Sequence, residues 1–200
     1  MSYPMRILRI DSSAKTETSE SRRLTDRIID GLQANGKSPK VTVRDLNECL
    51  PQVDNAWIVA NNTPADDHTD EQRKNLALSD KLVAEIEEAD TLIIGVALYN
   101  FSISASLKLW IDLVCRARKT FAYLDGSPKG LMTGKKAIVC FASGGTQFGS
   151  DIDFASGYLR HILSFIGITD VTFISADKHF MDSQSLTNAN ATVDALTKQL

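Results

Sequence analysis

The chain has 200 residues, of which 43% are hydrophobic and 24% are charged, and these proportions are typical of one globular domain. The formal net charge of −3 excludes the basic excess of a nucleic-acid-binding protein. The sequence contains neither the roughly 18 uninterrupted apolar residues of a membrane span nor an N-terminal signal stretch. Cys49, Cys115 and Cys140 are far apart and odd in number, which indicates reduced thiols, so we expect a cytoplasmic protein.

Strand and helix patterns alternate through the first half of the chain. Residues 5–10 form a compact apolar run typical of a strand, and the apolar positions within 24–32 have helical spacing. Residues 40–46 alternate in polarity like a strand, whereas residues 47–68 predict a long irregular segment, which is often functional. Thr69 and Gln72 have the spacing of a helix capping box, and apolar positions continue that helix.

The second half continues this alternation and ends in a helix. Residues 91–97 are almost continuously apolar, which is typical of a central parallel strand covered on both faces. The remaining patterns predict a helix over 107–114, a strand over 137–141, a helix over 159–166, a strand over 171–175 and a final helix from residue 184. Five strands separated by helices favour a single α/β domain over residues 1–200, with a parallel sheet of order 2-1-3-4-5 and helices on both faces.

Ligands of such sheets bind beyond the carboxyl ends of the strands, where the strand order reverses. The candidate loops are therefore 11–21, 98–104 and 142–150. The first is rich in hydroxyl side chains and opens onto a helix, a composition that favours a phosphate. The alternative is that Thr18 or Ser19 only caps the helix. The loop matches neither the Walker A nor the GxGxxG pattern, which disfavours conventional ATP and dinucleotide binding.

The other two loops suit a flat ring with polar edges. Asn100 is able to donate and accept hydrogen bonds, and Tyr99 and Phe101 are able to cover a ring, although aromatic side chains at a strand end are also common in cores. Gly144 and Gly145 let backbone N–H groups approach a ligand closely, although paired glycines also form ordinary turns. Three such loops on one sheet edge favour a ligand site.

We expect no metal site and no catalytic side chain. Asp66, Asp67 and His68 precede a helix whose N-terminus accounts for the acidic residues. The three histidines have no nucleophile partner in the sequence, which also lacks the GxSxG and HExxH motifs.

Four segments carry a resemblance to a known family: ALSDKLVAEIEEAD, YNFSISASLKLWIDLVCRA, TFAYLDGSPKGLMTGKKAIV and FIGITDV. In these segments the chain resembles the FMN-dependent NADH-azoreductases, a branch of the flavodoxin-like quinone reductases. The resemblance implies a flavodoxin-like three-layer sandwich and bound FMN. It also implies ping-pong, two-electron hydride transfer from NADH to FMN and then to an azo dye or quinone. Members of the family are homodimers with both active sites at the interface.

The resemblance also implies roles for individual residues. The FMN phosphate would be bound by Ser13, Ser19, Glu20 and Ser21, and the isoalloxazine ring by Leu98, Tyr99, Asn100 and Phe101. The pyrimidine end of the ring would be bound by Ser143, Gly144 and Gly145, and the substrate pocket would include Phe121, Tyr123 and Phe165.

Several alternatives remain open in the sequence. Segment 58–63 contains no arginine for a 2′-phosphate, which favours NADH over NADPH as the electron donor. The main alternative in function is an electron-transfer flavodoxin-like carrier that does not oxidise NADH directly, although such carriers are usually strongly acidic. A third possibility is a non-enzymatic α/β module whose loops bind nothing.

Glu20 departs from the family pattern, in which glutamine is common at this position. A carboxylate at this position would be repelled by the phosphate if it pointed at it. We predict that Glu20 turns towards Arg22 or Arg23, so that only its backbone N–H faces the phosphate. Glu20→Gln should then leave the FMN dissociation constant, measured by titration, within about tenfold of the wild type. Tighter binding by more than about tenfold, or about 1.4 kcal/mol, would contradict this placement.

Overall fold

A five-stranded parallel sheet forms the centre of the computed structural model, which describes residues 4–200. These residues form seven strands: β1 (Arg6–Asp11), β2 (Lys40–Asp45), β3 (Thr91–Ala97), β4 (Phe121–Leu124), β5 (Ser127–Gly130), β6 (Lys136–Ala142) and β7 (Asp170–Ala176). The sheet order is β2-β1-β3-β6-β7, and every pairing in it is parallel. Residues 1–3 of the predicted domain lie outside the described residues.

Six α-helices connect the strands in the described part of the chain. They are α1 (Glu20–Ala34), α2 (Asn55–Asn62), α3 (Asp70–Glu88), α4 (Ala105–Val114), α5 (Ser156–Phe165) and α6 (Ser185–Thr197), with a short 3-10 helix at Ala65–Asp67. Within residues 4–200, none of the helices combines the length and the apolar character that crossing a bilayer requires.

The sheet separates two hydrophobic cores, as the predicted layering requires. In β3, Leu92 and Ile94 pack in a core with α2, α3, α4 and α5, whereas Ile93 packs in a second core with α1 and α6. Successive side chains of a strand point to opposite faces, so a strand buried on both faces needs apolar residues at almost every position. This requirement explains the continuous apolar run that predicts β3.

The prediction of an irregular segment over 47–68 is wrong for residues of α2. Asp54 begins this helix, because its side chain accepts a hydrogen bond from the backbone N–H of Trp57 at 2.8 Å. Only Trp57 and Ala60 of the helix are buried, and two positions are too few to show helical spacing in the sequence. The capping box at Thr69 and Gln72, in contrast, forms as predicted at the start of α3.

Strands β4 and β5 are missing from the prediction of five strands. They pair with each other as an antiparallel hairpin outside the main sheet, and therefore the strand order becomes 2-1-3-6-7 and not 2-1-3-4-5 in chain numbering. Both strands are short and mostly exposed, so they show no apolar alternation. Asp125 and Gly126 form the two-residue turn, with φ values of 51° and 77°, and an Asp-Gly pair is a signal for such turns.

The hairpin packs closely against the end of α5, and this contact gives a stability prediction. A Cβ on Gly130 would lie 2.1 Å from the backbone nitrogen of Gly167, where no flexible side chain is able to yield. Gly130→Ala should therefore lower the free energy of unfolding by about 1–3 kcal/mol or more in denaturant titrations. The matched control is Gly157→Ala in α5, which meets nothing within 4 Å and should leave stability unchanged or raise it. Equal stability of the two variants would contradict the close packing.

Candidate functional site

A cleft of about 280 Å³ opens along the carboxyl edge of the sheet. It crosses the loops that follow β1, β3, β6 and β7 in their spatial order. Its lining residues are Ser13, Lys15, Thr18, Ser19, Glu20, Ser21, Ala97, Leu98, Tyr99, Ala142, Gly144, His179 and Phe180. The cleft thus lies where the strand order reverses between β1 and β3, as the parallel topology predicts.

The β1 end of the cleft combines hydroxyl side chains with the N-terminus of a helix. Ser19 begins α1, and its hydroxyl accepts a hydrogen bond from the backbone N–H of Arg22 and lies 3.1 Å from the Ser21 hydroxyl. The first turn of a helix leaves backbone N–H groups without intrahelical acceptors, here those of Glu20 and Ser21. The positive end of the helix dipole adds to this preference for negative charge.

The side chain of Glu20 is paired within its own helix. Its carboxylate accepts a hydrogen bond from the Arg23 guanidinium at 2.6 Å. Of the two arginines considered in the sequence, Arg23 is therefore the partner. Because this ion pair engages the Glu20 carboxylate, the negative charge that the sequence places in this loop is compensated locally.

Arg22 lies beneath the same loop and determines its shape. The side chain is buried and donates hydrogen bonds to the backbone oxygens of Ser13 and Lys15, both at 3.0 Å. It also binds both carboxylate oxygens of Asp45, at 2.7 and 2.8 Å. Hydrogen bonding from Arg22 lowers the pKa of Asp45, and hydrogen bonding to Asp45 raises the pKa of Arg22, so both groups stay charged. The sequence indicates Arg22 only as a candidate partner of Glu20, because its contacts with the loop after β1 and with Asp45 depend on the fold.

The loop after β3 is a tight turn that presents Asn100 and Phe101. Tyr99 and Ser102 exchange two backbone hydrogen bonds of 3.0 and 3.1 Å across it. The φ values of Asn100 and Phe101 are 49° and 70°, a left-handed conformation that asparagine tolerates and phenylalanine rarely adopts. The turn therefore leaves the Phe101 side chain half exposed at the edge of the sheet.

Tyr99 connects this turn to the loop after β1. Its hydroxyl accepts a hydrogen bond from the backbone N–H of Ala14 at 3.1 Å and lies 3.4 Å from the Ser13 hydroxyl. The loop after β1 and the turn after β3 are thus linked directly, although they are more than 80 residues apart in the chain.

A second cleft, of about 300 Å³, adjoins the first on the side of the loop over residues 142–150, which we call the glycine loop. It shares Leu98 and Gly144 with the first cleft and is also lined by Asn100, Phe101, Ser143, Gly145, Thr146 and Ile152. The Ser143 hydroxyl accepts a hydrogen bond from the backbone N–H of Thr146 at 2.8 Å, which fixes the loop around both glycines. The structure therefore brings all the predicted cofactor-binding residues to two adjoining clefts.

The three residues predicted for the substrate pocket lie together but line neither cleft. The ring centroids of Phe121 and Phe165 are 4.4 Å apart, and those of Phe121 and Tyr123 are 5.7 Å apart. Phe121 is buried, whereas Tyr123 is 66% exposed. Both belong to β4, and the β4–β5 hairpin packs at the end of α5, so this aromatic cluster is separate from the two clefts within one chain.

Sequence reasoning also missed His179 and Phe180, which line the first cleft from the loop after β7. That loop was not among the three considered, because the strand-order reversal lies between β1 and β3. The signal that could have found it is the strand order itself, since β7 is the neighbour of β6.

The acidic segment before α3 has a structural role. The His68 ring nitrogen Nε2 lies 3.0 Å from the backbone oxygens of both Ala60 and Thr63, so this histidine connects the segment to the end of α2. Within residues 4–200, no group of three or more His, Cys, Asp and Glu side chains is arranged to hold a metal ion.

Comparisons with known proteins agree with this architecture. The family model described as flavodoxin-like fold matches residues 5–200. An FMN-dependent NADH:quinone oxidoreductase 1 from Jannaschia sp. (strain CCS1) is 56% identical over 176 residues, which cover 88% of this chain and 90% of that protein. A protein of the same name from Hahella chejuensis is 48% identical over 200 residues, covering 99% of this chain and 98% of that protein. The crystal structure of an azoreductase from Bacillus anthracis str. Sterne has a TM-score of 0.89 at 25% identity, covering 98% of this chain and 100% of that one.

The Arg22–Asp45 pair gives a pH prediction. Because the folded-state pKa of Asp45 is lowered, its stabilisation is present above the unfolded-state pKa of about 3.9 and is lost as the pH falls through the lower, folded-state value. Asp45→Asn should therefore be less stable than the wild type at neutral pH, with the difference shrinking below about pH 4. Denaturant titrations of both proteins at pH 3 to 7 measure this difference, and one that grows towards low pH would contradict the pairing.

Proposed function

This chain belongs to the family of proteins with the flavodoxin-like fold, and we propose that it is an FMN-dependent NADH oxidoreductase that reduces quinones and azo compounds. One observation carries the proposal: all the predicted cofactor-binding residues line two adjoining clefts at the switch point of the sheet. The relatives with 48% and 56% identity, which are named FMN-dependent NADH:quinone oxidoreductases, support the same activity.

The residues around the clefts fit the chemical parts of FMN. The hydroxyls of Ser13, Ser19 and Ser21 and the N–H groups of the first turn of α1 match a phosphate. Leu98 and Phe101 offer apolar surface to a flat ring. A Cβ built on Gly145 meets nothing within 4 Å, so the backbone there is open to a ligand.

FMN, when bound, supplies the redox chemistry by accepting a hydride from NADH and delivering two electrons to the acceptor. The chain itself would bind FMN and orient it towards the donor and the acceptor, and no side-chain nucleophile is required. Backbone N–H groups at Gly144 and Gly145 would donate to the pyrimidine edge of the ring and favour negative charge there. Because donor and acceptor would use the same space in turn, we expect ping-pong kinetics.

We also propose that the protein is a homodimer with its active sites at the interface. Phe101, Ile152 and Phe154 are all exposed beside the second cleft, and the backbone N–H of Phe154 donates to the oxygen of Phe101 at 3.1 Å. Exposed apolar patches of this kind mark protein interfaces. A second copy would cover this patch, and the cluster of Phe121, Tyr123 and Phe165 would then contribute to a substrate pocket shared between the chains.

NADH is the proposed donor, and the cytoplasm is the proposed location. Helix α2 carries no basic residue. Arg116, which contacts Asn61 in α2, is buried and is paired with Asp80 at 3.2 Å, so it is not available to a 2′-phosphate. Arg118 is exposed but donates to the backbone oxygen of Asn61. The three cysteines are free thiols, which agrees with a reducing compartment.

Anaerobic spectroscopy tests the proposed activity. The FMN-reconstituted protein should lose its visible flavin bands on addition of NADH and regain them on addition of a quinone or an azo dye. Bands that dithionite bleaches but NADH does not would instead support the electron-carrier alternative. A protein that binds no FMN would overturn the proposal entirely.

Arg22 provides a prediction about cofactor affinity. Lysine is unable to replace the bidentate pair with Asp45 and the two carbonyl hydrogen bonds at once, so Arg22→Lys should loosen the loop. We expect the FMN dissociation constant to rise at least about tenfold, measured by titration of the apoprotein. The control is Arg27→Lys, on the same helix as Arg22, which removes the bidentate pair of Arg27 with Asp194 of α6, outside the cleft lining. An Arg22→Lys value within about twofold of this control would contradict the role of Arg22.

A further inference from the structure

Phe180 is an exposed aromatic residue on the wall of the first cleft. Its side chain is 79% exposed, although phenylalanine is among the residue types most often buried. The backbone fixes its position, because the N–H groups of His179 and Phe180 donate to the oxygens of Ser143 and Gly144 at 3.1 and 3.2 Å. The backbone that carries the ring is thus held at the glycine loop, while the ring itself remains open to the cleft.

Gly144 lies directly under this ring. A Cβ on Gly144 would lie 2.4 Å from Cδ2 and 2.5 Å from Cε2 of Phe180, which is closer than Cβ contacts in proteins allow. Gly144 is not among the glycines with positive φ, so its backbone conformation is open to other residues. Any side chain at position 144 would therefore have to displace the exposed Phe180 ring from its place.

We propose that Phe180 is a cofactor-contacting residue that closes the β7 end of the FMN cleft. In this proposal, the glycine at position 144 leaves the space that the Phe180 ring occupies. The inference rests on the proposed function, since it takes FMN as the occupant. The cleft crosses the loops after β1, β3, β6 and β7 in that order, and Phe180 belongs to the last of these. An exposed aromatic ring at that end gains burial when a ligand fills the cleft, and the ligand gains cover from water.

The first experiment compares Phe180→Ala with Met181→Ala, a neighbouring exposed residue that is not among the lining residues of the cleft. Two quantities are measured: the FMN dissociation constant by calorimetry and the quenching of bound flavin emission by iodide. We expect Phe180→Ala to raise the dissociation constant about tenfold and to increase iodide quenching, whereas Met181→Ala resembles the wild type. Because both side chains are exposed, the two variants should share the thermal stability of the wild type.

The second experiment combines Gly144→Ala with Phe180→Ala in a double-mutant cycle. Gly144→Ala should weaken FMN binding in the wild type by displacing the ring, and it should do so several-fold less in the Phe180→Ala background, where the ring is gone.

Each outcome is decisive. Wild-type affinity and iodide quenching in Phe180→Ala would overturn the contact with the cofactor. Equal effects of Gly144→Ala in both backgrounds would overturn the proposal that Gly144 leaves space for the Phe180 ring. Failure of the wild-type protein to bind FMN would overturn the proposed function, and this result is distinct from the other two.

Discussion

The buried guanidinium of Arg22 fixes the loop on which the candidate site depends. A charge in this position is costly unless it is paired, and Asp45 pairs with it directly while Asp11 lies 3.6 Å away. The same group donates to the backbone oxygens of Ser13 and Lys15, so β1, β2 and the start of α1 are joined at one point. The shape of the β1 end of the cleft therefore follows from an ion pair outside the cleft lining.

The parallel sheet converts distant sequence segments into one surface. Tyr99 reaches across from the loop after β3 to the backbone of Ala14, and the loop after β7 packs on the oxygens of Ser143 and Gly144. Each of these contacts joins loops whose strands are neighbours in the order β1-β3-β6-β7. In the proposed enzyme, the fold supplies position and backbone donors, and the bound cofactor supplies the chemistry. The left-handed conformation of Phe101 shows that this arrangement includes local backbone strain.

The sequence predicted the features that depend on local patterns. The apolar run of β3, the cap at Thr69 and the serine-rich start of α1 all depend on neighbouring residues, and the structure contains each of them. The hairpin of β4 and β5 was missed because short exposed strands carry no apolar alternation. The role of Arg22 and the position of Phe180 were missed because both depend on contacts with other loops and strands, which periodicity does not encode.

In the proposed enzyme, the β1 end of the cleft binds the phosphate of FMN. Calorimetric titration of the apoprotein with FMN and with riboflavin, which lacks the phosphate, is the test of this role. We expect one FMN bound per chain, at least about a hundredfold tighter than riboflavin, which corresponds to about 2.7 kcal/mol from charge-assisted hydrogen bonds. Equal affinities for the two compounds would show that the serine-rich loop and the Arg22 network do not form a phosphate site.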